Sequence, residues 1–345
     1  MPVSLTYNPL SHFFYKHKEK LLKHKEKLIW FHSTYALAIG IGVMWLGSRN
    51  FHFIRLAVWE ISFIWLSSLA IPVIFNRMNL TSKWKQRIRL LINYFNRNFY
   101  QQLLFFVLPI YYMSTTITSL NVFFIILVAI SAILSTMDIV YDRFISVKAF
   151  IMSLFFAFNL FACINVMLPI LWGVRVVHAV RISAIFAFLG FATFIFKLSE
   201  IDKKKKKLII YASLIMFFIL SEFGRSFIPP APLKLDKMEF GLGMDKKRLQ
   251  ILSPIETLPQ GRNRIYAIAH IKAPLKLKEQ VRVCWYLNGK QILSTTHHQI
   301  EGKGEKGGFR LWTYFTLKKV GEGTVLMVSA ETQGDQLIGR SRISF

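Results

Sequence analysis

The stretch SEFGRSFIPPAPLKL, from Ser221 to Leu235, separates two parts of the chain that differ in composition. It begins as the end of an apolar run, and it carries Glu222 and Arg225 just before a group of three prolines. Proline donates no backbone hydrogen bond and fixes φ, so these prolines end a helix. The stretch therefore predicts the point at which the chain leaves a membrane and enters a second domain.

The residues before this point have the composition of a membrane protein. Of the 345 residues, 53% are hydrophobic and 32 are Phe. The apolar residues form blocks of about 18 residues or more, the length that a helix needs to cross a bilayer. We expect an α-helical polytopic bundle of about seven spans over residues 28–228. The predicted spans are 28–47, 53–75, 99–118, 120–137, 148–171, 180–197 and 208–228.

The Lys and Arg residues are distributed unequally between the two sides of these spans. One side holds 20 of them, including those of the basic tail 1–27 and the run Lys203–Lys207, and the other side holds three, or four if Arg55 is added. Because cytoplasmic loops are enriched in Lys and Arg, this asymmetry predicts a cytoplasmic N-terminus. An odd number of spans would then put the residues after 228 in the periplasm.

The formal net charge of +26 would suggest a nucleic-acid partner in a soluble chain. In a membrane protein, basic segments beside the spans are attracted to the anionic cytoplasmic leaflet, and we expect that lipid contact and no nucleic acid. Cys163 and Cys284 offer neither a disulfide framework nor a metal-ligand spacing. No catalytic motif is recognisable, so we predict no catalytic, cofactor-binding or metal residue and favour a protein that is not an enzyme.

Some ionisable residues fall within or beside the predicted spans. Such a group in hydrocarbon costs a few kcal/mol, so it usually faces a partner or a wet cavity. Asp138 and Asp142 lie one helical turn apart, as carboxylates do when they hold Mg²⁺ on a phosphorylated lipid. The alternative is that these residues end spans, pair with neighbours or extend to the membrane surface. The candidate intramembrane polar site consists of His32, Arg55, Glu60, Asp138 and Asp142.

The acid and the base of the opening stretch are a second candidate site. Glu222 and Arg225 are three residues apart, which puts them on one face of a helix. We expect them to form an ion pair where the last span leaves the membrane.

The residues after the prolines have the pattern of a β domain. Residues 229–263 are mixed in composition and predict a linker. From Arg264 onward, apolar and polar residues alternate with a period of two, which is typical of strands that bury one face. Six short segments of this kind over 264–345 predict a small all-β, immunoglobulin-like sandwich.

Two local patterns refine this prediction. Asn288-Gly289 predicts a two-residue hairpin turn, because both turn positions require positive φ. Trp285 and Phe315 are the large apolar residues that we expect at the centre of the core.

Aromatic and basic residues alternate with the apolar residues of the segment FRLWTYFTL. Arg310, Trp312 and Tyr314 share the face opposite Leu311. They predict a partner surface for sugars, phosphates or a protein. The alternative is structural: a two-sheet domain can bury either face, and Arg310 can stack on Trp312.

Motifs in the C-terminal part carry a family resemblance. They are IPPAPLKL at 228–235, CWYLNGK at 284–290, GGFRLWT at 307–313 and GDQLIGRSRISF at 334–345. With these motifs the chain resembles an uncharacterised bacterial family of multispan membrane proteins that end in the domain of unknown function numbered 2914. The resemblance covers roughly residues 226–345 by motif and the spans by architecture. It implies a bacterial envelope protein with a β-sandwich tail, and it supplies no activity.

These observations together predict a multi-pass protein of the bacterial inner membrane. Its helical bundle would anchor a periplasmic β-sandwich that binds an envelope polymer or a partner subunit, as a non-enzymatic scaffold or accessory subunit. The alternative is a membrane transporter or a lipid-modifying enzyme with a polar site among the spans.

Overall fold

The computed structural model describes residues 30–31, 33–42, 44–45, 103–137, 140–145, 148–197, 202–303, 308–317 and 321–345. Helices form the first part of the described chain, and strands form the part after the prolines. The helices are α1 (Ser33–Gly42), α2 (Leu103–Met113), α3 (Val122–Thr136), α4 (Ala149–Trp172), α5 (Val176–Lys197) and α6 (Lys203–Phe223). A π-helical turn at Tyr141–Ile145 precedes α4, and a 3₁₀ turn at Arg225–Phe227 follows α6.

The helices α4 and α5 form an antiparallel hairpin, and α6 packs against α5. The chain reverses at Gly173, which has φ +64° and whose N–H group bonds to the carbonyls of Leu168 and Pro169. A Cβ atom here would lie 2.9 Å from the carbonyl oxygen of Lys276. Glycine is therefore required both by the left-handed backbone and by the close approach of the strands.

The prediction of a seven-span bundle is wrong. In the part of the chain that the structure describes, two helical segments are long and apolar enough to cross a membrane, Phe150–Trp172 and Val176–Thr193, with mean hydropathies of 2.2 and 1.7. Within the described ranges, the apolar helices α1, α2 and α3 comprise 10–17 residues each, fewer than a span needs. Helix α6 begins with five lysines, which shorten its apolar stretch. The predicted span at 53–75 lies outside the described residues.

A β-sheet region follows the helices. Its strands are β1 (Lys234–Gly241), β2 (Met244–Asp245), β3 (Gln250–Ile251), β4 (Asn263–Lys272), β5 (Lys278–Leu287), β6 (Lys290–Ser294), β7 (His298–Glu301), β8 (Phe309–Leu317), β9 (Val325–Thr332) and β10 (Leu337–Ser344). One sheet has the order β1-β4-β8, and another has the order β10-β9-β5-β6, with β7 also paired to β5. The short strands β2 and β3 pair with each other.

The two larger sheets enclose one apolar core, to which β4, β5, β8 and β9 contribute alternate residues. Trp285 is fully buried there. Its ring lies 6.1 Å from the ring of Phe315, measured between centroids, and its indole N–H donates to Thr313 Oγ1 at 3.4 Å. The two residues that we expected at the centre of the core are therefore in contact across the sheets.

The hairpin at Asn288-Gly289 is confirmed, since both residues have positive φ, 49° and 82°, and join β5 to β6. The stretch 229–263, in which we expected a linker, instead contributes β1 to the three-stranded sheet and also contains β2 and β3. Strand β1 lies at the edge of its sheet and pairs with β4.

The sheet region is bonded to one end of the helical part. Glu279 Oε2 accepts a hydrogen bond from the N–H group of Val176, the first residue of α5, at 2.7 Å. Gln336 Nε2 donates to the carbonyl of Ile228 at 3.0 Å, and Arg340 Nε donates to Thr118 Oγ1 at 3.2 Å. The turns after α2, α4 and α6 thus all meet the strands, and the opposite helix ends point away from them.

Candidate functional site

The outer face of the three-stranded sheet carries the predicted partner surface. Arg310, Trp312 and Tyr314 alternate along β8, so their side chains lie on one side of the sheet. The rings of Trp312 and Tyr314 are stacked, with centroids 6.5 Å apart and an interplanar angle of 19°. Tyr314 is 45% exposed. The structure therefore brings these three residues together on an accessible face.

Two residues of β4 extend this surface. In the antiparallel register Tyr266 lies opposite Tyr314, and the two rings are 5.8 Å apart. The guanidinium of Arg264 lies 4.9 Å from the centroid of the Tyr314 ring. Neither residue was predicted to belong to the surface, although Arg264 and Tyr266 show the same basic-aromatic alternation on β4 as the predicted residues show on β8.

The β2–β3 hairpin lies over the part of this face that carries Arg310 and Trp312. The Lys246 ammonium lies 5.4 Å from the centroid of the Trp312 ring. Arg310 Nη1 donates to the carbonyls of Arg248 and Leu249 at 3.2 and 3.3 Å. Arg310 therefore bonds to the hairpin and does not stack on Trp312. The cations that lie against the rings are Lys246, at Trp312, and Arg264, at Tyr314.

An acid–histidine pair lies beside the surface, where β4 meets β1. Glu239 Oε2 lies 3.1 Å from Nε2 of His270, and Glu239 also contacts Lys237. Burial alone would raise the pKa of the Glu239 carboxyl, but hydrogen bonds from Lys237 and His270 lower it below its usual range. Glu239 is therefore ionised at neutral pH and offsets part of the positive charge of this sheet.

Glu222 lies at the end of α6 and contacts two arginines. It contacts Arg225, its expected partner. It also accepts two hydrogen bonds from Arg181 of α5, at 2.7 Å from Nε and 2.9 Å from Nη2. The bidentate geometry is typical of strong Arg–carboxylate pairs. Arg181 could not be assigned to this cluster from sequence spacing, because it comes from another helix.

The structure does not describe the candidate intramembrane polar site. His32, Arg55, Glu60 and Asp138 lie outside the described residues, and Asp142 lies in the π-helical turn without a described side chain. Within the described ranges, no group of three or more His, Cys, Asp or Glu residues could hold a metal ion.

The described surface combines stacked aromatic rings with adjacent cations. Stacked rings present polarisable faces to sugars and other rings, and the flanking cations attract anionic groups. The surface is formed by side chains on two paired strands, so its geometry is set by the sheet.

A model of the family of unknown function DUF5924 matches residues 12–264 of the chain. This match supports the expectation of an uncharacterised family. It covers the helical part and the first strands, whereas the motifs that carried the resemblance to the domain numbered 2914 lie mostly beyond it. No curated protein matches the chain.

Proposed function

We propose that this chain, which belongs to the DUF5924 family of unknown function, is a membrane-anchored binding protein without enzymatic activity. Its helices hold the sheet region at the membrane, and the outer face of the three-stranded sheet binds an envelope polymer or a partner subunit. The aromatic-basic surface formed by Arg264, Tyr266, Arg310, Trp312 and Tyr314 is the observation that carries this proposal.

The charge of the sheet region supports an anionic binding partner. Residues 229–345 contain 19 Lys and Arg against 10 Asp and Glu. Aromatic residues and arginine are enriched where protein interfaces make their strongest contacts. A surface that combines stacked tyrosine and tryptophan rings with cations therefore suits an acidic polysaccharide or an acidic protein surface.

The exposed apolar surface of the helices supports a membrane anchor. Two helical segments could span a membrane, and large apolar side chains are exposed along α3, α5 and α6. Soluble proteins rarely expose contiguous apolar surface of this extent. We place the protein in the bacterial inner membrane as a multi-pass protein, with the lysine-rich helix ends in the cytoplasm and the sheet region in the periplasm, an orientation in which α6 crosses the bilayer as well and keeps its lysines at the cytoplasmic surface.

A pair of matched double variants tests the binding surface. Arg264→Ala with Tyr314→Ala removes an exposed arginine and an aromatic ring from the surface. Arg342→Ala with Phe345→Ala removes the same two groups from β10 and the residue that follows it, where Phe345 is 40% exposed. The tagged full chain is extracted from membranes in a mild detergent, and the co-purified proteins and the binding to isolated cell-wall sacculi are measured.

We expect the first double variant to lose about tenfold or more of the partner or polymer that the unaltered chain retains, because central aromatic and arginine contacts often contribute about 2 kcal/mol or more. The second double variant should bind like the unaltered chain. Equal binding by all three proteins, or a purified chain that shows catalytic turnover of a lipid, would contradict the proposal.

A further inference from the structure

A pocket of about 330 Å³ lies where the helices meet the sheet region. Its walls come from the turn before α5, from α5 itself, from the turn after α6 and from the loop between β9 and β10. The residues that line it are Arg175, Val177, His178, Arg181, Arg225 and Gln333. Three of these six side chains are guanidinium groups and a fourth is an imidazole, so the pocket has the composition of an anion site.

Glu222 holds two of the arginines in place. It binds Arg181 with both carboxylate oxygens and also contacts Arg225, while Arg225 Nε donates to the carbonyl of Ser221 at 2.8 Å. The single carboxylate of Glu222 therefore contacts the guanidinium groups of both Arg181 and Arg225. Burial and the nearby charge of Arg181 lower the pKa of Arg225, and Asp335 opposes this shift. The charge of Asp335 is already shared with Arg282, which donates to it at 2.6 Å.

The other two basic side chains are available to a ligand. Among the described residues, neither the Arg175 guanidinium nor the His178 imidazole has a hydrogen-bond partner. The nearby carboxylate of Glu279 accepts hydrogen bonds from the backbone N–H groups of Val176 and Gln280. The charges of both groups act on Glu279, but neither group is hydrogen-bonded to it, so both can donate hydrogen bonds to a ligand.

An exposed apolar surface continues from this pocket along α5. His178, Arg181, Ile185 and Leu189 are spaced by three or four residues and so share one face of the helix. Ile185 and Leu189 are exposed. The cationic pocket therefore lies at one end of an exposed apolar stripe on α5, formed by Ile185 and Leu189.

A second apolar stripe runs along α6 from the same point. Tyr211, Ile215 and Phe218 are exposed and lie on the face of Glu222, at helical spacing. Because Glu222 bonds to Arg181, the two stripes meet at the edge of the pocket. One cationic pocket with two apolar stripes is complementary to a phospholipid, which has one anionic headgroup and two apolar acyl chains.

We propose that this pocket binds a phosphate group, and specifically the headgroup phosphate of an anionic phospholipid whose acyl chains lie along α5 and α6. Arginine matches phosphate with paired hydrogen bonds, and basic pockets between membrane helices are known to bind lipid headgroups. The proposal does not depend on the aromatic-basic surface of the three-stranded sheet.

Lipid retention by the full chain tests the proposal. The purified chain, in a neutral detergent, is mixed with phosphatidylglycerol, with a diacylglycerol of the same acyl chains but no phosphate, or with inorganic phosphate. Native mass spectrometry measures the bound lipid, and inorganic phosphate is added as a competitor. We expect retention of phosphatidylglycerol and not of the diacylglycerol.

Three variants make the test specific. Arg175→Ala with His178→Ala should lower the affinity for phosphatidylglycerol about tenfold or more, the effect of losing a charge-assisted hydrogen bond. Arg262→Ala with His297→Ala removes the same two types of side chain from exposed loops and should change nothing. Glu222→Gln keeps an acceptor oxygen for the two arginines but removes the negative charge at the edge of the pocket, so it should raise the affinity.

The remaining outcomes identify the source of the phosphate or overturn the proposal. If inorganic phosphate displaces the lipid at equal concentration, the pocket takes a soluble phosphate. Equal retention of phosphatidylglycerol and diacylglycerol, or an unchanged affinity in the Arg175→Ala/His178→Ala variant that retains its helical circular dichroism, overturns the assignment of a phosphate site.

Discussion

Glu279 joins the sheet region to the helices through a buried carboxylate. Its side chain comes from β5 and accepts the N–H group of Val176 at the start of α5. A carboxylate at a helix N-terminus satisfies a backbone donor that has no partner within the helix. Burial raises the pKa of Glu279, while the hydrogen bonds from Val176 and Gln280 and the charges of Arg175 and His178 oppose this effect.

The raised pKa predicts a stability that depends on pH. Because the folded chain binds this proton more tightly than the unfolded chain, the stability from Glu279 is greatest below the ordinary Glu pKa of about 4.3 and is lost as the pH rises through the folded pKa. Glu279→Gln keeps an acceptor for Val176 and does not ionise. We therefore expect the melting temperature of the Gln variant, relative to that of the unaltered chain, to increase as the pH rises through this window.

Thermal melts of the detergent-solubilised chain at several pH values measure this difference. Glu279→Ala serves as the control, because it loses the acceptor and should be less stable at every pH, by about 1–3 kcal/mol. A difference that is constant with pH would mean that the pKa of Glu279 does not change on folding, and a change in the opposite direction would mean that ionised Glu279 stabilises the junction.

Trp285 connects the two larger sheets. It is fully buried and contacts Phe315 and Thr313 of the opposite sheet. Trp285→Ala should destabilise the sheet region by about 3–5 kcal/mol, because it removes apolar contacts and leaves a cavity. Trp285→Phe keeps most of the volume and should cost less. Denaturant unfolding followed by circular dichroism measures both, and similar losses for the two variants would indicate that the indole hydrogen bond dominates.

For single residues, the sequence predicted the features that depend on neighbouring positions along the chain. The turn at Asn288-Gly289 follows from a dihedral requirement of two adjacent residues. The core position of Trp285 follows from the alternation along one strand. By contrast, the pairing of Arg181 with Glu222 joins two helices, and no local pattern connects residues separated by 41 positions.

Among the elements, α5 packs tightly against the sheet region at Gly334, between β9 and β10. A Cβ atom on Gly334 would lie 2.3 Å from Cγ2 of Val177 and 3.6 Å from Cδ of Arg225. Only a residue without a side chain permits this approach. The loop therefore sets the distance between α5 and the strands.

Gly334→Ala should push the sheet region away from α5 and destabilise the junction by about 1–3 kcal/mol, as overpacking of a close contact does. Gly321→Ala is the matched control, since a Cβ atom there meets no atom within 4 Å. Thermal melts of the full chain measure the loss. Adding Val177→Ala to Gly334→Ala should restore part of the stability, because the clash is between these two residues; a purely additive loss would contradict the clash.

The helical elements show why hydropathy overestimated the number of spans. The apolar block 99–137 predicts two short spans joined by a polar turn, 99–118 and 120–137, but α2 ends at Met113 and α3 begins only at Val122. The turn between them uses residues that hydropathy counts as membrane-spanning. A sequence window records apolar content, and it does not record where tertiary contacts end a helix.

Strand β1 is an element that the sequence did not predict, because its composition is rich in charged residues. It carries Lys234, Asp236, Lys237 and Glu239, which made the stretch resemble a linker. Its position at the edge of the three-stranded sheet explains these charges, because charged side chains on an edge strand discourage pairing with other chains. That these residues form a strand becomes apparent only when their pairing with β4 is known.

In the whole molecule, the described lysines of the helical part lie at the helix ends opposite the sheet region. The sheet region lies against the turns after α2, α4 and α6, whereas Lys148 and Lys203–Lys207 lie at the opposite helix ends. Lys206 Nζ donates to the carbonyl of Phe196, near the end of α5, at 3.2 Å. The asymmetry in charge that the sequence suggested can therefore be tested at two defined positions, one at each end.

Cysteine labelling at these two ends tests the proposed orientation. Both native cysteines, Cys163 and Cys284, are buried, so a membrane-impermeant maleimide should react weakly with the unaltered chain. Lys290→Cys places a thiol after the β5–β6 turn, and Lys205→Cys places one in the lysine run of α6; both positions are exposed. If lysines are retained on the cytoplasmic side, intact spheroplasts should label Lys290→Cys at once and Lys205→Cys only after permeabilisation. Labelling of both thiols in intact spheroplasts would show that the helices do not separate the two ends across a membrane, and the reverse pattern would put the aromatic-basic surface in the cytoplasm.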